Sequence, residues 1–105
     1  MTVLRVCYKS GLRFDERYYL SRHAPLANAV FGPHGVTRVE MIRVTTTPDG
    51  SPPPYQVIFT AYFESAAGLQ AALQDSRIGE VMGDIAKFYD GMPDVMIGDV
   101  VALPA

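Results

Sequence analysis

Apolar side chains along the chain follow two periods, one typical of strands and one typical of helices. Residues 2–8 are rich in β-branched side chains and predict a first strand. From Phe14 the residues of one face recur at helical spacing, namely Tyr19, His23, Leu26 or Ala27, and Val30. Pro25 disturbs this helix because it has no N–H to donate to the carbonyl group of Ser21. We therefore predict a kink beside His23.

The middle of the chain predicts two further strands joined by a loop. Residues 36–46 form a long run with many β-branched side chains, and residues 56–63 are dense in aromatic and β-branched ones. Residues 47–54 contain an Asp-Gly pair and three consecutive prolines, which favour an irregular connection. This loop is too long for a tight two-residue hairpin but allows an antiparallel return.

A second helical segment and a last strand complete the pattern. Ser65 suits the N-cap of a helix that extends to about Leu73, and Asp75 suits the cap of a continuation. That continuation carries apolar residues at helical spacing: Ile78, Val81, Met82, Ile85 and Phe88. Residues 95–102 predict a fourth strand. The order β-α-β-β-α-β predicts a ferredoxin-like α+β fold with a four-stranded antiparallel sheet, as a single domain over residues 1–105.

The strand pattern also predicts a homodimer. In a sheet of this kind both helices cover one face, and the other face meets water. The third strand carries Val57, Phe59, Ala61 and Phe63 on one parity and Ile58, Thr60 and Tyr62 on the other, so neither face is clearly polar. A bare apolar face larger than a few hundred Å² is unusual in a soluble monomer. Packing of the sheet against a second copy covers it.

Composition and charge narrow the possible partners. The chain has 105 residues, a net charge of −2 and nine scattered Lys and Arg residues. This distribution argues against a nucleic-acid surface and against an anionic membrane surface. No segment has the pattern of a signal peptide or of a membrane span. Cys7 is the lone cysteine and has no partner for an intramolecular disulfide, so a reducing cytoplasm fits best.

Two segments resemble a known family. Residues 14–26 read F-x-x-x-Y-Y-x-x-x-H-x-P-L, which resembles the first-helix signature of the EthD family, named for ethyl tert-butyl ether degradation. Residues 81–100 resemble the C-terminal half of the same family. The resemblance implies the dimeric α+β barrel superfamily, in which two ferredoxin-like sheets face each other. Its members include lactone isomerases, polyketide cyclases, cofactor-free monooxygenases and haem-degrading enzymes, so the fold does not fix the activity.

Three neighbouring side chains are candidates for catalysis. His23 can accept or give a proton near neutral pH, as pocket histidines are proposed to do in related isomerases and cyclases, or it holds the helix through a backbone carbonyl. Tyr19 lies on the His23 face at i, i+4 spacing, so its hydroxyl either orients a substrate carbonyl or phenol or packs in the core. Arg22 either holds a carboxylate or enolate or lies in solvent. Asp84 either orients a histidine or lies on a helix surface.

A substrate pocket has further candidates, and each of them also suits an ordinary core: Tyr8, Tyr62, Met41, Met82 and Phe88. No nucleotide-binding motif occurs, so we expect any chemistry to run without a nucleotide cofactor. His23 and His34 lie on opposite sides of a predicted helix end and spacing supplies no third ligand, so we predict no metal site. Haem needs a large apolar cavity around an axial histidine, and nothing in the spacing supports one.

Three interpretations remain open at this point. The first is an enzyme that acts by proton transfer on an aromatic, lactone or polyketide-like compound. The second is a non-catalytic binding or accessory protein for a hydrophobic metabolite or a partner oxidase. The third is a structural dimer whose interior is filled by its own side chains. A cavity beside His23 would separate the first two from the third.

Overall fold

Four antiparallel strands form the sheet in the computed structural model, which describes residues 1–104. They are β1 (Thr2–Lys9), β2 (Val36–Arg43), β3 (Tyr55–Phe63) and β4 (Asp94–Asp99), in the spatial order β2-β3-β1-β4. Strand β1 lies between β3 and β4, and its Leu4 faces Ala61 on one side and Ile97 on the other. The ferredoxin-like α+β fold predicted from the sequence is confirmed.

Helix α1 covers residues 16–31 and changes its geometry midway. Its three parts are an α-helical turn at Glu16–Tyr18, a π-helical turn at Tyr19–His23 and an α-helix at Ala24–Phe31. The backbone N–H of Ala24 donates to the carbonyl of Tyr19 and closes the π-helical turn. Pro25, which has no N–H to donate, follows directly after this turn. The sequence predicts a kink beside His23, and the structure has a π-helical turn at this place.

The second helical region is divided in two. Helix α2 is Ala66–Leu73, helix α3 is Ile78–Asp84, and a 3₁₀ turn follows at Ile85–Lys87. The hydroxyl of Ser65 accepts a hydrogen bond from the backbone N–H of Gly68, so Ser65 is the N-cap of α2, as the sequence predicted. Between α2 and α3 the carboxylate of Asp75 accepts from the N–H of Arg77 and contacts the His34 ring.

The core lies between the helices and one face of the sheet. Strand β3 contributes Val57, Phe59, Ala61 and Phe63 to it, and the helices contribute Tyr19, Ala27, Val30, Phe31, Leu69, Ala72, Val81 and Ile85. This face of β3 is the parity that was continuously apolar in the sequence. The helices therefore cover the more apolar face of β3, whose exposure to water would destabilise the fold most.

The opposite face of the sheet is open in this chain and more polar than strand parity predicts. Strand β2 brings Glu40 to it, which accepts a hydrogen bond of 2.7 Å from the hydroxyl of Tyr62. In the neighbouring strands the Arg5 guanidinium donates to the hydroxyl of Thr60. Ile42 and Met96 lie among these groups, each about half exposed. The open face thus combines a polar network with apolar side chains.

Two strands end earlier than the sequence predicted. Strand β2 ends at Arg43 instead of residue 46, and β4 ends at Asp99 instead of residue 102. Beyond β4 one further backbone bond joins the N–H of Val100 to the carbonyl of Met1. Within residues 1–104, no helix combines the length and the apolar character needed to cross a membrane.

Candidate functional site

His23 is the last residue of the π-helical turn and points into the core. It is only 5% exposed. Its ring lies 4.5 Å from the ring of Phe88 and 5.5 Å from that of Tyr19, measured between centroids. A π-helical turn adds a residue to the helical repeat and is frequent at functional sites. The rings of Phe88 and Tyr19 both contact the imidazole in this position.

Asp84 meets the imidazole from helix α3. Its Oδ2 lies 3.0 Å from Nδ1 of His23, and its Oδ1 accepts a hydrogen bond of 2.7 Å from the hydroxyl of Tyr18. The ammonium group of Lys87 lies 3.7 Å from the same Oδ1, on the outer side. Asp84 is 8% exposed, so its side chain has little contact with water. Such a pair of imidazole and buried carboxylate fixes the orientation of the ring.

The charges of this pair follow from its surroundings. Burial lowers the pKa of His23 below its ordinary value, although Asp84 opposes the shift. Burial raises the pKa of Asp84, but the hydrogen bonds from Tyr18 and His23 outweigh it, so the net shift is downward. At neutral pH the carboxylate is ionised and can only accept, so Nδ1 of His23 carries the proton and Nε2 carries a lone pair.

A cavity of about 240 Å³ lies beside the imidazole, between the helices and the sheet. Its walls are Leu4, Val6, Tyr8, Tyr19, His23, Ala27, Phe31, Phe59, Leu73, Ile78, Val81, Met82, Ile85, Pro93 and Val95. Met82 and Val95 are 47% and 49% exposed, so the opening lies between α3 and β4. The volume exceeds that of a cavity that binds benzene, about 150 Å³. The space therefore suits a molecule of one or two rings.

Three polar side-chain tips, those of His23, Tyr19 and Tyr8, belong to residues that line this apolar space. Among residues 1–104, every fully buried side-chain nitrogen or oxygen has a hydrogen-bond partner. Nε2 of His23 and the hydroxyls of Tyr19 and Tyr8 have none in the described chain, so these atoms are not sealed off. All three residues line the cavity. The tips are therefore available to a bound molecule.

The structure brings together only some of the side chains that the sequence singled out. His23, Tyr19, Tyr8 and Met82 line the cavity. Phe88 is fully buried and supports the His23 ring, but it does not line the space.

The remaining three candidates lie elsewhere. Arg22 is exposed in a surface groove, because neighbouring residues of a helix point about 100° apart and His23 points inward. Tyr62 belongs to the open sheet face, where it contacts Glu40. Met41 packs half-buried against the core and does not line the cavity.

Asp84 contributes more to the site than the sequence indicates, since its carboxylate contacts His23. A signal for it exists. Val81 and Phe88 lie three residues before and four residues after Asp84, so Asp84 lies in the apolar stripe of its helical segment. A carboxylate in such a stripe needs a partner in the core. Nothing in the sequence shows that the partner is His23.

Metal ligands do not cluster in the described chain. Across residues 1–104, no group of three His, Cys, Asp or Glu side chains lies close enough together to hold an ion. His34 contacts Asp75 at 2.8 Å, where both side chains are partly buried, and is separate from the His23 pair.

Comparisons with known proteins agree with this architecture. The family model of the EthD domain matches residues 12–92. An EthD-like protein from Ralstonia eutropha JMP134 is 28% identical, with a TM-score of 0.84 over 99% of this chain and 95% of that one. An ethyl tert-butyl ether degradation family protein from Bacillus halodurans C-125 is 23% identical, with a TM-score of 0.78 over 96% and 99%.

A more distant structure shares the fold alone. SnoaB, a cofactor-independent oxygenase from Streptomyces nogalater, is 14% identical, with a TM-score of 0.66 over 99% of this chain and 95% of that one. No curated protein sequence matches the chain.

Proposed function

The chain belongs to the EthD family, and we propose that it is a small-molecule enzyme in which His23 transfers a proton to and from a bound hydrophobic compound. The substrate class is an aromatic, lactone or polyketide-like molecule, and the reaction needs no nucleotide cofactor. The observation that carries the proposal is the imidazole itself. One nitrogen of His23 is bound to Asp84, and the other is free at an apolar cavity.

The proton transfer follows from this arrangement. Nε2 takes a proton from a carbon next to a carbonyl group, and the electron pair of the broken C–H bond moves to the carbonyl oxygen as an enolate. The imidazolium formed is stabilised by the Asp84 carboxylate at Nδ1. The hydroxyl of Tyr19 or Tyr8 donates to the enolate oxygen. Return of the proton to the same carbon exchanges or inverts that centre, and return to the γ-carbon of a conjugated dienolate shifts the C=C bond; either step restores His23.

The lowered pKa of His23 supports a base rather than a permanent cation. A base works best when its unprotonated form predominates at working pH, and burial has this effect here. Arg22 was a sequence-based candidate for steadying the enolate, but it lies outside the cavity. Tyrosine hydroxyls take that role in this proposal.

We propose that the active form is a homodimer joined through the open sheet faces. Val3, Ile58 and Met96 leave apolar surface there, and a second copy would cover it. Light scattering at micromolar concentration should give the mass of a dimer, and a Met96→Asp variant should dissociate. A stable wild-type monomer at that concentration would contradict this part.

The second candidate function is a binding or accessory protein without turnover. One observation favours it: besides His23 and its partner Asp84, residues 1–104 bring no second acid or base other than tyrosine to the cavity. In this alternative the same cavity sequesters a hydrophobic metabolite. The two functions differ only in whether the free nitrogen of His23 moves a proton.

Deuterium exchange separates the two functions. The probe is 2-tetralone, a neutral two-ring ketone with acidic C–H bonds, incubated in D₂O and followed by NMR. We expect the wild-type protein to accelerate exchange by about 10²- to 10⁴-fold over a His23→Gln variant, the usual range for general-base catalysis. The His34→Gln variant is the matched control and should keep the wild-type rate. Binding of 2-tetralone without His23-dependent exchange would favour the accessory function.

A further inference from the structure

We propose that the cavity selects uncharged molecules, namely one- or two-ring phenols and enolisable ketones, and rejects the carboxylates of the same shape. This inference deepens the proposed function, because it names the ligand class of the same site. It rests on which charged groups reach the cavity wall and which do not.

No cation lines the cavity in the described chain. None of its fifteen wall residues is lysine or arginine. Arg22 lies in a separate surface groove, and Lys87 is 66% exposed on the outer side of Asp84. A bound carboxylate would therefore lose its water without gaining an ion pair.

The nearest charge has the wrong sign for an anion. The ionised carboxylate of Asp84 lies directly behind the imidazole, 3.0 Å from Nδ1 of His23. Burial also raises the pKa of both Tyr8 and Tyr19, so the wall resists negative charge on its own side chains. A ligand carboxylate would meet the same resistance.

The polar tips match a neutral hydroxyl or ketone. Nε2 of His23 is an acceptor, so it can receive the proton of a phenol. A tyrosine hydroxyl can donate to the oxygen of that same phenol or of a ketone. The rings of Tyr19 and His23 are neighbours in the cavity wall, with 5.5 Å between their centroids. In the proposed complex one oxygen atom of the ligand binds both the Tyr19 hydroxyl and Nε2 of His23.

The size of the ring system follows from the volume. The cavity is about 240 Å³, and its other wall residues are aliphatic or aromatic. A cavity of about 150 Å³ lined by such groups binds benzene. A second fused ring fits the added space.

The test compares 2-naphthol with 2-naphthoate at neutral pH. The chain has no tryptophan, so naphthyl fluorescence reports binding against little protein background. We expect 2-naphthol to bind and 2-naphthoate to bind at least about a hundredfold more weakly, since an unpaired buried charge costs several kcal/mol. Equal binding of the two compounds would overturn the inference, and so would failure of both to bind.

A charge-rescue variant sharpens the test. Met82 lines the opening on helix α3 and is half exposed, so Met82→Lys adds a cation at the cavity mouth without disturbing helix formation. We expect it to improve the binding of 2-naphthoate relative to that of 2-naphthol at least tenfold. Ala27→Leu, which fills the cavity from α1, should abolish the binding of 2-naphthol. An unimproved affinity for 2-naphthoate relative to 2-naphthol in Met82→Lys would contradict the charge argument.

Failure of this inference can be told apart from failure of the proposed enzyme. Selective binding of 2-naphthol together with no His23-dependent exchange of 2-tetralone would support the ligand class and refute proton transfer. Exchange that depends on His23 together with equal binding of both naphthyl compounds would support proton transfer and refute the ligand class.

Discussion

Replacement of Asp84 by asparagine removes the charge that holds the imidazole and keeps the shape of the side chain. Asp84 accepts hydrogen bonds from Tyr18 at 2.7 Å and from His23 at 3.0 Å, and it is 8% exposed. A hydrogen bond to a charged group contributes about 1.5–3 kcal/mol. Asparagine keeps one acceptor oxygen, so we expect the free energy of unfolding to fall by about 2 kcal/mol. For a domain of this size the melting temperature should fall by about 10 °C.

The control is Asp90→Asn. Asp90 pairs with Arg13 at 3.0 Å, but both side chains are about half exposed, and such surface pairs contribute little. Urea unfolding is measured at equal protomer concentration, because the stability of a dimer depends on concentration. We expect the free energy of unfolding to fall by less than about 1 kcal/mol in Asp90→Asn. An equal loss in the two variants would refute the argument that Asp84 is a buried, charge-holding partner.

The stability lost in the Asp84→Asn variant should depend on pH with a definite sign. The pKa of Asp84 is lower in the folded protein than its ordinary value of 3.8. The contribution of its charge to stability is therefore complete above that value and disappears as the pH falls through the folded-state pKa. We expect the gap between the wild type and Asp84→Asn to narrow below about pH 3.8. A gap independent of pH would show that packing, not charge, causes the loss.

Three further predictions test other parts of the account. Burial lowers the pKa of His23 from its ordinary 6.5, so the stability of the wild type should decrease as the pH falls below 6.5. In urea titrations the His23→Gln variant should lack this decrease, and the His34→Gln control should keep it. Tyr18→Phe removes a hydrogen bond to Asp84, so a carbon-13 NMR titration should show a higher pKa for the Asp84 carboxyl. The same variant should lower the free energy of unfolding in urea by about 1.5 kcal/mol. Tyr19→Phe is the control and should lower it less, because the Tyr19 hydroxyl has no partner in the described chain. Gly68→Ala should cost about 1–3 kcal/mol, because its methyl group would collide with the carbonyl oxygen of His34; an unchanged urea midpoint would contradict that contact.

The fold could be predicted because its elements are encoded locally. The run of aromatic and β-branched residues at 56–63 predicts a strand, the helical stripe around His23 predicts a helix, and turn residues separate the two. The inward direction of His23 also followed from i, i+4 spacing with Tyr19. These signals lie within one element and need no knowledge of its neighbours.

The rest of the site depends on contacts between distant elements. His23 and Asp84 are 61 residues apart in the chain, and only the packing of α1 against α3 brings them together. Tyr62 and Met41 were assigned to the pocket by residue type, and periodicity alone does not say which sheet face the helices cover. Arg22 is next to His23 in the sequence, but neighbouring side chains on a helix point about 100° apart. Arg22 therefore points away from the cavity that His23 lines.

The protonation state of His23 tests the central claim most directly. Long-range proton–nitrogen NMR of the folded protein at pH 7 distinguishes the two neutral tautomers of an imidazole from its cation. We expect His23 to carry its proton on Nδ1 and a lone pair on Nε2, and we expect the Nε2 signal to move when 2-naphthol is added. A proton on Nε2 in the free protein, or an imidazolium at pH 7, would contradict a free base held by Asp84 at the cavity wall.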